Sequence, residues 1–206
     1  MDYYFGDAKP AHTKDYIWPF VIRVIKESGA KTVFDLGCGN GSFVAYLRSL
    51  GYEARGVDPS KSGIQAGLTN DSRLPISIGS AYEDLAALYG THDCVVSLEV
   101  VEHIYYPRKF ATTARSLLKP SGIMIVSTPY HSYLKNLALA LTGKVDRHFT
   151  ALWDHGHIKF WSVSTLSRLF EEQGLRRKRV HLAGRIPVLA KSMILVFRLE
   201  KGIRDS

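Results

Sequence analysis

Three glycines at alternate positions, Gly37, Gly39 and Gly41, follow directly on the run Val33-Phe34-Asp35-Leu36 and lead into a helix that begins near Ser42. Val33, Phe34 and Leu36 have the apolar, partly β-branched character of a strand covered on both faces. Glycine lets a ligand approach the backbone closely, and the helix aims unpaired N–H groups at whatever the turn holds. A bare GxGxG is equally a tight connection, so its neighbours decide. Asp35 lies inside the strand, where a carboxylate repels phosphate and suits an ammonium group. Asp58, in Arg55-Gly56-Val57-Asp58-Pro59-Ser60, ends a second strand. It follows the glycines by roughly 20 residues, the interval at which a doubly wound fold sets a carboxylate on a ribose hydroxyl pair. Read locally, Asp58-Pro59 is also a common turn start. Together these residues favour a ligand with a ribose and a cationic amino acid over a pyrophosphate.

A second concentration of reactive side chains lies in residues 130–161, which hold Tyr130, His131, Tyr133, His148, Phe149, Trp153, His155, His157, Phe160 and Trp161. A neutral imidazole with a pKa near ~6.5 is a general base at physiological pH. His131 closely follows a strand, which puts it near the crevice as a base or an acceptor-orienting group, with His157 as the competing candidate. Tyr130, Tyr133, Trp153 and His155 are the expected acceptor contacts. The segment reads either as a surface helix packed on the sheet or as a lid that closes over an apolar or aromatic acceptor and excludes water.

These groups need a scaffold, and the periodicities supply one. Residues 14–28 carry Ile17, Phe20, Val21, Val24 and Ile25 at helical spacing and stop at Gly29, a helix expected to cover the sheet edge beside the first strand. Residues 42–50, 60–68 and 107–118 read as further helices and 74–78 as a third strand. Residues 133–141 form an apolar helix-like stretch. Residues 162–174 form an amphipathic helix with Leu166, Leu169 and Phe170 inward and Ser162 or Ser164 as its cap. Residues 177–182 and 192–199 read as strands six and seven, joined through Gly184 and Pro187. The apolar loop 186–189 approaches either the substrate or an anionic membrane surface.

At this point the chain resembles the class I S-adenosylmethionine-dependent methyltransferases. The run Asp93-Cys94-Val95-Val96-Ser97-Leu98-Glu99-Val100-Val101-Glu102-His103-Ile104 is similar to the family's fourth strand and the segment after it. Leu117-Leu118-Lys119-Pro120-Ser121-Gly122 and the strand that follows are similar to its LLKPGG turn and fifth strand. The likeness covers residues 31–129, and the ExxEH run resembles the ubiquinone-biosynthesis O-methyltransferase branch. It implies an α/β fold, a Rossmann-like seven-stranded mixed sheet of order 3-2-1-4-5-7-6 with the last strand antiparallel, helices on both faces and a lid insertion after strand five. It implies S-adenosyl-L-methionine as cofactor, with S-adenosyl-L-homocysteine as product. The cofactor contacts would be Asp35, Gly37, Cys38, Gly39, Asn40, Gly41, Asp58, Pro59, Ser80, Ala81, Tyr82, Leu98 and Glu99. Many relatives carry an acid where this chain has Ser80, so backbone groups of Ala81 and Tyr82 are expected to replace that adenine contact.

The same resemblance implies a divalent cation on Glu99, Glu102 and His103, which would share one face if the segment is helical. One imidazole with two carboxylates is equally a capping and hydrogen-bonding cluster, and magnesium is not the favoured reading; His103 is also a candidate catalytic group. The leading activity is O-methylation of a small or amphipathic hydroxylated acceptor. The alternatives are methylation of a sugar or carboxylate in surface-polymer assembly, and a cofactor-binding protein without transfer activity.

Length and composition agree with one such domain over residues 1–206. It divides into an N-terminal helical segment (1–30), a cofactor-binding core (31–129), a lid (130–161) and a C-terminal helix and strands (162–206). With 46% hydrophobic residues the chain has ample core material. Its two cysteines, Cys38 in the glycine loop and Cys94 in a buried strand, suit a reducing compartment, with Cys38 as a small filler of the loop. No secretory signal or membrane-spanning run is expected, so the expected location is cytoplasmic, as a monomer or homodimer. The net charge of +8 draws on Arg176-Arg177-Lys178-Arg179 and scattered residues. It reads as a solvated face, with peripheral contact to an anionic membrane as a further option and nucleic acid not expected.

Overall fold

A computed structural model describes residues 9–10, 12–149, 151–154, 156–185 and 189–200. His155, residues 186–188 and residues 1–8 therefore lie outside the described residues. The sheet has seven strands: β1 (Thr32–Leu36), β2 (Glu53–Asp58), β3 (Ile76–Ile78), β4 (His92–Leu98), β5 (Leu118–Pro129), β6 (Leu175–Ala183) and β7 (Ser192–Leu199). Their order is β3-β2-β1-β4-β5-β7-β6. The first five strands pair in parallel, and β7 runs antiparallel between β5 and β6.

Helices α1 (Lys14–Ser28), α2 (Ser42–Ser49) and α3 (Lys61–Asn70) cover one face. Helices α4 (Leu85–Tyr89), α5 (Pro107–Ser116) and α8 (Val163–Glu171) cover the other, while α6 (Tyr133–Leu141) and α7 (Val145–Phe149) follow β5. The twofold alternation of β1 divides its side chains between the layers, Val33 packing with α1 and α2, and Phe34 and Leu36 with α5. The expectation for α1 needs correction in one respect. Its boundaries hold, but its apolar stripe packs beneath β5 and β7, on Ile125, Ile194 and Val196, and Phe20 stacks on His181 of β6, so it covers the sheet face and not an edge beside β1.

Other limits shift by a turn or less. The third strand shortens to three residues, α3 runs on to Asn70, and α8 ends at Glu171 behind a capping box in which Ser162 and Thr165 exchange hydrogen bonds. Helices α4 and α7, of five residues each, were too short to leave a periodic signal. The carboxyl ends of β1, β2, β4 and β5 lie at one end of the sheet, the end at which an open α/β fold forms its ligand crevice.

Candidate functional site

At the end of β1 the chain turns through Gly37, Gly39 and Gly41, all with positive φ. The N–H groups of Gly37 and Cys38 both donate to the Val57 carbonyl of β2, 2.9 and 3.0 Å away. A Cβ on Gly37 would lie 2.6 Å from the Val100 side chain, so only glycine lets the segment after β4 close onto this turn. On the other side Gly67 of α3, which carries no motif signal, lies with its Cα against the Asn40 carbonyl, leaving no room for a side chain there. Asn40 ties the loop down further. Its Oδ1 accepts from the Ser42 N–H and its Nδ2 donates to the Lys9 carbonyl.

Asp58 arrives from β2 and clamps the same loop, with Oδ2 accepting from the Gly39 N–H at 2.8 Å and Oδ1 from the Ser60 N–H at 2.8 Å. Asp35 is buried in β1, and burial, together with the neighbouring Asp58, pushes its carboxyl up to about 8. An ammonium group placed beside this pair would relieve both effects, which is the chemistry of an amino-acid moiety. Burial likewise holds the Cys38 thiol well above its ordinary range, so Cys38 is a filler of the loop and not a nucleophile. Both cysteines are free.

After β3 the Ser80 Oγ accepts from the Tyr82 N–H, and the Ser80 N–H donates to Glu83. Glu83, three residues beyond the position where relatives were expected to carry an acid, thus bonds back to that position, while Asp84 caps α4. Tyr82 has an unforeseen role: its hydroxyl accepts from the N–H groups of both Tyr105 and Tyr106, tying the loop after β3 to the segment after β4.

The Glu99, Glu102 and His103 group is arranged otherwise than on a helix, and that expectation is corrected. Glu99 follows the last residue of β4 in the left-handed region, φ 56°, and only Val101–His103 form a single 3-10 turn. The reason lies in the partners. The Glu99 carboxylate points back to the β5–β7 junction, where Ser127 donates to Oε1 at 2.8 Å and Ser192 to Oε2 at 3.2 Å. Glu102 is buried, its Oε2 accepting from Thr128 at 3.0 Å and its Oε1 lacking a hydrogen-bond partner among the described residues. Burial raises both carboxyls, and Glu99 raises Glu102 further. Two hydroxyl donors favour charge on Glu99, which leaves the proton on Glu102.

The donor atoms of Glu102, His103 and His157 lie within 4.8 Å of one another, so the cluster that could hold a metal takes His157 in place of Glu99. The His103 Nδ1 is 3.2 Å from the Gly156 carbonyl. A carbonyl only accepts, so that nitrogen carries the proton and Nε2 is the basic one.

His131 lies two residues past β5 among rings, stacked on Phe149 (5.7 Å between centroids) and edge-on to Phe160 (5.2 Å) and His148 (6.0 Å). Its Nδ1 is buried without a hydrogen-bond partner among the described residues. The expected unperturbed imidazole is therefore corrected. Burial, then Lys135, His148 and His157, lower His131 to about 4; burial, then His103 and His148, do the same for His157.

Tyr130 packs against the core under α5 and α8. Trp153 meets His103 and His157 edge-on. Tyr133 stands apart, 79% exposed at the start of α6. Leu98 and Pro59 lie at the ends of β4 and β2, beside the glycine turn and Asp58 respectively.

Comparisons with known proteins place this geometry. Over 116 residues the chain is 37% identical to the ubiquinone biosynthesis O-methyltransferase of Caulobacter vibrioides, covering 54% of this chain and 46% of that relative. It is 27% identical over 177 residues to the protein of that name from Paraburkholderia xenovorans, covering 83% and 75%. The chain therefore spans about half the length of the first of these relatives. Its backbone is similar to that of magnesium protoporphyrin IX methyltransferase from Synechocystis, solved with bound SAH, at a TM-score of 0.62 and 19% identity, covering 87% of this chain and 80% of that one. A family model described as a methyltransferase domain matches residues 11–178, and the chain belongs to that family.

Proposed function

We propose that the protein transfers the methyl group to a hydroxyl oxygen of a small amphipathic or aromatic acceptor. When bound, the cofactor supplies an electrophilic sulfonium methyl. Asp35, Asp58 and the backbone of residues 37–41 would hold its charged and ribose parts. The chain's remaining task is to hold an oxygen in line and remove its proton.

The observation that carries this reading is a pair of buried polar atoms without partners among the described residues, His131 Nδ1 after β5 and Glu102 Oε1 after β4. Buried polar groups left unpaired cost free energy, and a polar ligand group removes that cost. A hydroxyl both donates and accepts, which suits a neutral imidazole nitrogen and a protonated carboxyl alike. The surrounding rings of Phe149, Phe160 and Trp153 match an aromatic or prenyl-like body. The names of the relatives, O-methyltransferases of ubiquinone biosynthesis, point the same way.

In this reading His131 takes the hydroxyl proton, with His103 and His157 as neighbours that orient the acceptor. Residues 130–161 form the cover of the acceptor site within one domain. The test is incubation with methyl-labelled cofactor and four acceptor series: alkylated catechols, sugars, carboxylates and amines. Methyl ethers of the catechols are the expected products. Label found only on sugars or carboxylates would shift the reading to polymer methylation, and binding without any transfer would leave a cofactor-binding protein.

A further inference from the structure

Glu99 is held from three elements, and among the described residues its carboxylate meets hydroxyls and no cation. It is one of two non-glycine residues with positive φ among those described. Ser127 of β5 fixes that backbone, its Oγ accepting from the Glu99 N–H at 3.0 Å while donating to Oε1 at 2.8 Å. Ser192 of β7 donates to Oε2 at 3.2 Å and is itself bonded to the Tyr16 hydroxyl of α1. A serine hydroxyl has one hydrogen, and Ser192 gives it to the carboxylate, so here the Tyr16 O–H donates and the serine accepts. Tyr16 is half-buried, with the Lys191 ammonium 5.4 Å from its ring centre. Burial and, to a lesser degree, Glu99 raise its pKa, so it stays a donor. Helix α1 thus reaches the carboxylate through a relay of two hydroxyls.

A left-handed backbone in a residue other than glycine persists where the surroundings over-determine it, and such residues gather at ligand sites. The place of Glu99 in the sheet says which part of a ligand it faces. It follows β4, which lies between β1, the strand of Asp35, and β5, the strand of Thr128. The next residue, Val100, packs on Gly37 of the glycine turn, and the carboxylate acts electrostatically on Glu102, which is bonded to Thr128. Glu99 therefore stands at the seam between the donor and acceptor sides. A desolvated carboxylate held by hydroxyls alone draws a cation, because hydroxyls share its charge without cancelling it. Asp35 and Asp58 suit the ammonium and ribose of the donor. The charge left for the seam is the sulfonium, whose methyl is what passes across it.

We infer that Glu99 reads the positive sulfonium of the donor, and that Tyr16, acting through Ser192, is the positioning residue that aims it. Transfer leaves the C–S electron pair on sulfur, so the cation becomes a neutral thioether and the attraction ends. The carboxylate therefore favours loading of the charged donor and release of the spent one. That role rests on the proposed cofactor and needs no acceptor.

The test is calorimetry on the full chain with S-adenosylhomocysteine, neutral at sulfur, and sinefungin, in which a protonated amine replaces the sulfonium. The wild type should bind sinefungin about tenfold or more tightly than S-adenosylhomocysteine. Glu99→Gln should bring the two ligands within about twofold of each other and leave S-adenosylhomocysteine affinity within about threefold. Tyr16→Phe keeps the ring in place and removes only the hydroxyl. This variant and Ser192→Ala should each shrink the preference about threefold, and the double variant no further than Ser192→Ala alone, because the two act in series. A merely structural role would weaken both ligands alike and leave the preference as it was. Equal affinities in the wild type overturn the inference. So does a Glu99→Gln variant that weakens both ligands equally, which would give the carboxylate the ammonium they share. An unchanged preference in Tyr16→Phe takes Tyr16 out of the relay. Binding of neither ligand would overturn the proposed cofactor as well, whereas S-adenosylhomocysteine bound without any preference would leave the cofactor standing and sink this role alone.

Discussion

On the cofactor side of the crevice every candidate group stands on a strand end or a turn whose backbone is bonded into the sheet. Gly37 and Cys38 bond to Val57, Gly39 to Asp58, and Ser97 of β4 to the Leu36 carbonyl. On the acceptor side the chain leaves β5 at Pro129 and passes through α6 and α7, neither of which has a buried residue. The rings of His131, Phe149 and Phe160 are its main attachment. One side is held throughout by hydrogen bonds among neighbouring strands and turns. On the other, backbone bonds anchor the two ends, Tyr130 N–H to the Lys191 carbonyl and the Ile158 and Lys159 N–H groups to the Glu102 carbonyl, while α6 and α7 between them rest on side chains. In the proposed reading, a rigid donor site with a looser acceptor cover lets one sheet serve different acceptors, because specificity then resides where the sheet imposes least.

The largest expected effect follows from that contrast. Amide hydrogen exchange should open α6 and α7 at least about a thousandfold more readily than β1 and β4, since local opening there exposes little apolar surface. Addition of S-adenosylhomocysteine with an acceptor should then protect residues after β5. Uniform protection of α6 and the sheet in the free protein would make residues 130–161 a fixed packing element and erase the comparison.

The cofactor side breaks at Asp58. Loss of a hydrogen-bonded charge costs about 1.5 to 3 kcal/mol, so Asp58→Ala should weaken S-adenosylhomocysteine about 10- to 150-fold by calorimetry. The Gly39 and Ser60 N–H groups lose their acceptor in the same variant, which adds to the loss. Unchanged affinity would take Asp58 out of the site.

How much of this was legible in the sequence tracks the range of the interactions involved. The glycine turn and the limits of α1 and β7 are written in local periodicity and in turn residues, the strand order was implied by the family resemblance, and the structure has them. The surroundings of Glu99 were not legible. The residues that turn its carboxylate away are Ser127 and Ser192, 28 and 93 positions distant, and serines in β-strands carry no motif. The helix expected over Glu99, Glu102 and His103 lost to that pull. His131 lies two residues past β5, but its lowered pKa comes from burial and from Lys135, His148 and His157, surroundings that no spacing rule supplies. Tyr133 shows the converse, since an aromatic at a segment's start says nothing about the way it points.

The acceptor side breaks at His131 in a graded way. General-base help is worth about 10² to 10⁴ in rate when the pKa matches the medium. An imidazole held at about 4 is a weak base, so His131→Ala should lower kcat by about 10- to 100-fold and leave cofactor affinity intact. The acidic limb of the kcat/KM profile should lie near 4 and not near 6.5. The sign of the stability effect follows from linkage. The folded pKa is below the unfolded one, so the neutral ring contributes fully above about 6.5, and its contribution fades as pH falls toward 4. Raised carboxyls such as Asp35 push the other way, so the informative quantity is the difference in Tm between wild type and His131→Ala. That difference should narrow on acidification from pH 6.5 to 4. A kcat that survives the substitution would pass the role to His157 or His103, which the corresponding alanine variants separate.

The smallest expected effect concerns metal, and it sharpens the comparison because a required cation would make the acceptor side as rigid as the donor side. Magnesium prefers oxygen ligands in octahedral array. With Glu99 committed to Ser127 and Ser192, the converging donors are one carboxylate and two imidazoles, Glu102, His103 and His157. That set suits zinc or another transition ion better than magnesium. Burial also favours the protonated form of Glu102, which must lose that proton before it can ligate. Methyl transfer from a sulfonium needs no Lewis acid when a base and an in-line geometry are present. Treatment with EDTA should therefore change turnover by less than about twofold, well below the span of a general-base contribution. Abolished activity that magnesium restores would mean that Glu99 swings from the serines to the metal when the acceptor binds. Glu99→Gln would then lose the rescue while keeping cofactor affinity. Rescue by zinc alone would assign the ion to the Glu102, His103 and His157 cluster.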